Sequence, residues 1–213
     1  MTVIAVVGAT GYAGGHIAAE AVRRGHEVLG ISRSAPTETR DGISFRAGSV
    51  HDKATIEELT QAADVLVIAV PSRGEDGTLV DSIPSILETA GKHGTRIGVV
   101  GGAGSLRVSP DGPRFMDTGV LPDFAMPEVT AHAAALDALR ASSSDTDWFY
   151  LSPAGGFGSY APGERTGKYR VGDDVMLVDA DGNSAISGDD YAIAFVDEIE
   201  TPNHHRTRFT VAY

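Results

Sequence analysis

Hydrophobic positions along the chain fall into two alternating rhythms. Short runs rich in β-branched residues, Val3–Val7, Glu27–Ser32, Val65–Val70, Arg96–Val100 and Trp148–Leu151, predict core strands, with Ser44–Arg46 as a weaker sixth. Most of these runs are nearly unbroken in apolar residues, as strands covered on both faces are. Between them the spacing turns helical. Tyr12–Arg24 sets Ile17, Ala21 and Val22 on one side and stops before Gly25, a residue suited to a helix C-terminus. Asp52 is the predicted N-cap of a helix carrying Ile56 and Leu59, and Leu79–His93 and Glu128–Arg140 are two further amphipathic stretches. This alternation predicts a parallel sheet with helices on both faces.

After Pro153 the rhythm breaks. Gly155, Gly156, Gly158, Gly163 and Gly167 interrupt the chain, and Lys168–Val171 and Val175–Val178 are short strand candidates. Ser187-Gly188-Asp189-Asp190 resembles a capping box ahead of a helix whose Tyr191, Phe195 and Ile199 share one face. Thr207–Tyr213 then reads as an edge strand. The expected organisation is one domain over residues 1–213, with an elaboration at about 154–187.

Composition narrows the classes. The chain is 42% hydrophobic and 22% charged, the balance of an ordinary soluble protein. Its apolar runs reach about half of the roughly 20 residues that a membrane helix needs, and no basic segment leads into the first strand. With no cysteine there is no disulfide or thiolate site, so the expectation is a cytoplasmic protein with no membrane partner. A formal net charge of −12 repels phosphate backbones and argues against nucleic acid. The histidines, including His204-His205, lack metal-ligand spacing, and no metal is expected. Asp197, Glu198 and Glu200 read as a solvated helix face. Nothing in the pattern sets an oligomeric state.

The chemistry concentrates in Gly8-Ala9-Thr10-Gly11-Tyr12-Ala13-Gly14, which follows a buried strand and opens a helix. Gly8 permits the tight turn, Gly11 lets a pyrophosphate approach the backbone, and Gly14 allows close helix–strand packing. Free N–H groups and the positive end of the helix dipole then coincide at Thr10–Ala13, where the pyrophosphate is predicted to sit. These features specify a Rossmann-type, doubly wound α/β fold. An NAD site would place Asp or Glu at the end of the second strand, to bond the ribose 2′-hydroxyl. Ser32-Arg33-Ser34 stands there instead, and a guanidinium suits a 2′-phosphate, so NADP(H) is expected in preference to NAD(H). Ligands in such folds bind beyond the carboxyl ends of the strands. Ala69-Val70-Pro71-Ser72-Arg73, Gly101-Gly102-Ala103-Gly104-Ser105 and Ser152-Pro153-Ala154-Gly155-Gly156-Phe157 are therefore expected to line the crevice.

The glycine turn, together with Val100-Gly101-Gly102-Ala103-Gly104-Ser105-Leu106, Asp147-Trp148, Ser152-Pro153-Ala154 and Pro162-Gly163-Glu164-Arg165-Thr166-Gly167, resembles the atypical short-chain dehydrogenase/reductase group of NAD(P)H-binding proteins. That group includes proteins named NADH-flavin reductases and is similar to biliverdin-IXβ/flavin reductase. The resemblance implies hydride transfer from a pyridine nucleotide to a flavin, a quinone or another planar acceptor. The chain departs from the main branch of the group because no Tyr-x-x-x-Lys occurs: Tyr12, Tyr150, Tyr160, Tyr169, Tyr191 and Tyr213 all lack a lysine four residues later. Alcohol–ketone chemistry and sugar-nucleotide epimerisation lose their proton donor without that pair. A flavin can take its proton from solvent, which leaves positioning as the main task of the protein. Ser105 and His132 are the candidate donors, and a non-catalytic NADP(H) redox sensor is the competing reading.

Overall fold

The computed structural model describes residues 1–34, 40, 42–74 and 77–213. In chain order the elements are β1 (Val3–Val7), α1 (Tyr12–Arg23), β2 (Glu27–Ser32), β3 (Ile43–Ala47), α2 (Lys53–Ala62), β4 (Val65–Ile68), the two-residue strands β5 (Arg73–Gly74) and β6 (Gly77–Thr78), α3 (Leu79–His93), β7 (Arg96–Val100), α4 (Met126–Ala141), β8 (Trp148–Ser152), β9 (Arg170–Gly172), α5 (Gly188–Glu200) and β10 (Thr207–Ala212). The main sheet has eight strands in the order β3-β2-β1-β4-β7-β8-β10-β9. All neighbours pair in parallel except β9, which runs antiparallel to β10. Strand order reverses between β1 and β4, and a crevice opens there beyond their carboxyl ends. The Rossmann-like α/β architecture stands.

Two apolar layers sandwich the sheet. On one face Ile17 and Ala21 of α1 pack with Tyr191, Phe195 and Ile199 of α5 over Ile4, Val6 and Phe149. On the other, Ile56 and Leu59 of α2, Ile83 and Leu87 of α3 and Leu136 of α4 cover Ala5, Leu66 and Ile97. Helix ends follow their local chemistry. Asp52 accepts the Ala54 N–H as an N-cap, and α1 is terminated by Gly25 at φ +83°.

Four expectations are corrected. β4 ends at Ile68 rather than Val70, because the chain leaves the sheet where Gly8 packs against Ala69. Val175–Val178 is not a strand: Val175 makes a single bridge to Arg107, and a turn closed by the Asp179 carboxylate on the N–H groups of Asp181 and Asn183 follows. Thr207–Ala212 is not an edge strand but lies between β8 and β9, with β9 on the outside. Asp190 does not complete a capping box. Ser187 accepts its N–H at 3.1 Å, but the Asp190 carboxylate turns to Thr166, Gly167 and the Tyr213 hydroxyl.

Candidate functional site

A cleft of about 600 Å³ opens at the strand-order reversal, lined by the glycine turn, the ends of β2 and β3 and the exit of β4. Its volume falls within the range of small-molecule sites. Gly8, at φ +92°, brings the turn so close to β4 that a Cβ there would lie 2.2 Å from the Ala69 carbonyl oxygen. A Cβ on Gly14 would lie 2.3 Å from the Gly8 carbonyl oxygen, so both positions exclude a side chain. Gly11 differs. It has ordinary backbone geometry, and a Cβ there would lie 3.3 Å from the Gly8 carbonyl oxygen, a tight contact but not the overlap found at Gly8 and Gly14. Gly11 caps α1 with no side-chain acceptor, and the first turn carries no acidic residue. The N–H groups of Tyr12, Ala13 and Gly14 thus end the helix without a side-chain partner, a fitting cradle for an anion.

Ser32 and Arg33 line the same cleft, while Ser34 does not. The Ser32 hydroxyl donates to the Ser34 carbonyl at 2.7 Å, which shapes the turn and leaves Arg33 exposed. Among the described residues no carboxylate lies within ion-pair distance of Arg33. The opposite wall, Gly48, Ser49, Val50 and His51, was missed in the sequence. Its signal was the weak strand candidate Ser44–Arg46, whose carboxyl end delivers this loop into the crevice beside β2. His51 is held by a 2.7 Å hydrogen bond between Nδ1 and Ser82 Oγ.

Ala69, Val70, Pro71 and Arg73 line the cleft as expected, joined by Gly74, which the sequence does not single out, whereas Ser72 of the same segment does not line it. The remaining expected segments stand behind this wall or beside it. Gly101, Gly102, Ala103, Pro153, Ala154 and Phe157 do not line the cleft, nor do Tyr12, Ala13 and Gly14. Gly102 donates its N–H to the Tyr150 hydroxyl at 3.0 Å, and that hydroxyl donates to the His132 carbonyl at 3.2 Å. Burial pushes the Tyr150 phenol up to about 12, so it stays protonated and structural. Phe157 packs between the Tyr12 ring, at 5.4 Å, and the Tyr191 ring, at 4.5 Å.

The two candidate proton donors are both engaged. Ser105 Oγ accepts from Arg208 Nη1 at 3.2 Å, and Arg208 is itself buried and paired with Asp174. His132 Nε2 stands 3.2 Å from Glu128 Oε1. Glu128 also accepts the Ser72 N–H at 2.5 Å. Burial opposes its ionisation, but the hydrogen bonds from His132 and Ser72 prevail and hold its carboxyl below the usual range.

A second polar cluster fastens the glycine-rich elaboration across α1 and α5. Glu20, 3% exposed, pairs with Arg23, Arg24 and Arg165. Tyr12 donates to the Pro162 carbonyl at 3.3 Å, and the Tyr213 hydroxyl, whose proton goes to Asp190 at 2.6 Å, stands 3.1 Å from the Glu164 carbonyl. The acidic end of α5 is likewise not the solvated face expected. Glu198 is buried and paired with Arg96 and His204, while Asp197 and Glu200 pair with Arg24. No group of three potential metal ligands occurs among the described residues. None of their helices is long and apolar enough to cross a membrane.

A family model described as NAD(P)H-binding matches residues 8–202. Similar solved structures cover nearly the whole chain. A Bacteroides thetaiotaomicron protein provisionally named an epimerase is 35% identical, with a TM-score of 0.87 over 99% of this chain and 96% of its own. A Burkholderia pseudomallei protein provisionally named as exported is 39% identical, with a TM-score of 0.85 and full coverage of both chains. A Streptococcus pneumoniae protein provisionally named an NADH-flavin reductase is 34% identical, with a TM-score of 0.82 over 100% of this chain and 99% of its own.

Proposed function

The chain belongs to the NAD(P)H-binding family, and from that premise we propose an NADPH-dependent reductase, of the atypical short-chain dehydrogenase/reductase kind, acting on a flavin, quinone or other planar acceptor. One observation carries the cofactor reading: the uncapped start of α1 and the Arg33 guanidinium face one cleft at the strand-order reversal. In this reading the pyrophosphate sits at Thr10–Ala13 on the N–H groups that open α1, the Gly11 N–H itself being donated to the Gly8 carbonyl at 2.9 Å, and Arg33 beside Ser32 reads the 2′-phosphate. Ala69, Val70 and Pro71 support the nicotinamide half from the near side. The acceptor would approach from the exit of β7, where Gly102 and Ala103 are half-buried, while Gly101, Pro153 and Ala154 are buried behind it and Phe157 packs on Tyr12 and Tyr191. When bound, the cofactor supplies a hydride, and a solvent proton completes the reduction of the acceptor.

The chain's own contribution is placement. Tyr150 is buried with its hydroxyl spent on Gly102 and His132, and none of the three lysines, Lys53, Lys92 and Lys168, lines the cleft. This lack of a phenol–ammonium pair weighs against the epimerase chemistry in the name of the Bacteroides relative. It is equally compatible with a redox sensor that binds NADP(H) without turnover. Initial rates of NADPH oxidation with FMN, FAD and quinones separate the two: turnover with any of them supports the reductase, and tight NADPH binding with no turnover supports the sensor. The cytoplasmic location expected from the cysteine-free chain belongs to this reading, and the export in the name of the Burkholderia relative makes cell fractionation its test.

A further inference from the structure

The exit of β4 and the exit of β7 flank the place proposed for the nicotinamide, and α4 touches both. From α4, Glu128 Oε1 takes the Ser72 N–H at 2.5 Å, and Glu128 Oε2 stands 3.9 Å from Arg73 Nε. One turn on, His132 places Nε2 3.2 Å from the same Glu128 oxygen. The carbonyl of His132 receives the Tyr150 hydroxyl, which holds the Gly102 N–H, and a Cβ on Gly102 would lie 3.2 Å from His132 Cβ. A single carboxylate therefore ties a cleft-lining loop to the helix against which the opposite loop packs. Its partners include a backbone N–H, so the tie fixes the path of the loop and not merely one side chain.

We propose that Glu128 is a positioning residue that fixes the Ala69–Arg73 loop for the nicotinamide half of the cofactor, with His132 acting as its support and not as a proton donor. This rests on the cofactor reading above. Without Glu128 the Ser72 N–H loses its acceptor and the loop must be ordered by the ligand, so affinity falls for the part of the ligand lying over it. The adenosine and pyrophosphate contacts, on the glycine turn and Arg33, are untouched.

The test compares NADPH with 2′-phospho-ADP-ribose, which lacks the nicotinamide, by calorimetric titration of wild type, Glu128→Ala and Glu128→Gln. Glu128→Ala is expected to weaken NADPH by about tenfold, the scale of one lost hydrogen bond to a charged group, and to bind 2′-phospho-ADP-ribose as wild type does. Glu128→Gln keeps an acceptor oxygen for Ser72 and should recover most of the loss. Equal losses for both ligands, no loss for either, or a glutamine variant no better than alanine overturns the assignment. Wild type that binds neither ligand overturns the cofactor reading itself, and this inference falls with it.

Discussion

Gly14 and Gly8 touch so closely that a Cβ on Gly14 would lie 2.3 Å from the Gly8 carbonyl oxygen, whereas the same atom built on Gly11 stands 3.3 Å from that oxygen. A Cβ is excluded outright at Gly14, whereas at Gly11 it meets a tight contact that a shift of a few tenths of an ångström relieves. Gly11→Val is expected to fold and to lose NADPH binding, because the branched side chain would occupy the approach to the N–H groups of α1. Gly14→Ala is expected to destabilise the fold, since the contact is with backbone. Thermal unfolding and NADPH titration of both variants check the pair; normal NADPH affinity in folded Gly11→Val refutes the pyrophosphate placement.

Arg33 is expected to set cofactor preference. A charge-assisted bond to a 2′-phosphate contributes about 1.5–3 kcal/mol, so Arg33→Ala should weaken NADPH by roughly 10- to 150-fold while NADH is little changed. Parallel titrations with both nucleotides measure this. An equal loss for each would mean that Arg33 does not read the phosphate.

Burial opposes the ionisation of Glu20, but hydrogen bonds from Arg23, Arg24 and Arg165 overcome it and bring its carboxyl from an ordinary value of 4.5 to about 2. A depressed carboxylate stabilises the native state above its unfolded value, and that stabilisation is lost as the pH falls through the native one. The stability lost on Glu20→Gln should therefore be largest above about pH 4.5 and shrink toward pH 2. Denaturant unfolding of both proteins across this range gives the answer, and a difference that stays constant with pH would exclude the ion cluster as its source.

Ser105 and His132 should tune turnover rather than enable it, because each is already held by a neighbour, Arg208 in one case and Glu128 in the other. Alanine at either position is expected to lower flavin turnover by less than the roughly 10²–10⁴-fold typical of a lost general acid. If His132→Ala abolishes activity with NADPH binding intact, His132 is the proton donor.

The elements most legible in the sequence are those whose signal is local. The glycine turn, the apolar runs of β1, β4 and β8 and the start of α2 at Asp52 all declare themselves within a few residues. What escaped depends on partners distant in the chain. Arg208 and Thr210 alternate with Phe209 and Val211 in β10, which imitates a half-solvated edge strand. In the fold Asp174 and Ser152 meet the two polar side chains inside. Glu198 reads as solvent-facing for the same reason, since Arg96 and His204 reach it from elsewhere. Gly48–His51 escaped because, among the described residues, β3 pairs with one strand, β2, and has a weak apolar pattern. Phe157 follows a strand exit and so reads as cleft wall, but its ring packs between Tyr12 and Tyr191.

The central claim, that the protein fixes a nicotinamide for direct hydride transfer to a planar acceptor, is tested most directly with NADPH deuterated at one or the other C4 position and FMN as acceptor. A nicotinamide held by the cleft presents one face, so one labelled diastereomer should slow turnover and transfer its deuterium, while the other should behave as unlabelled NADPH. Equal isotope effects from both labels, or no turnover with either, would contradict the account.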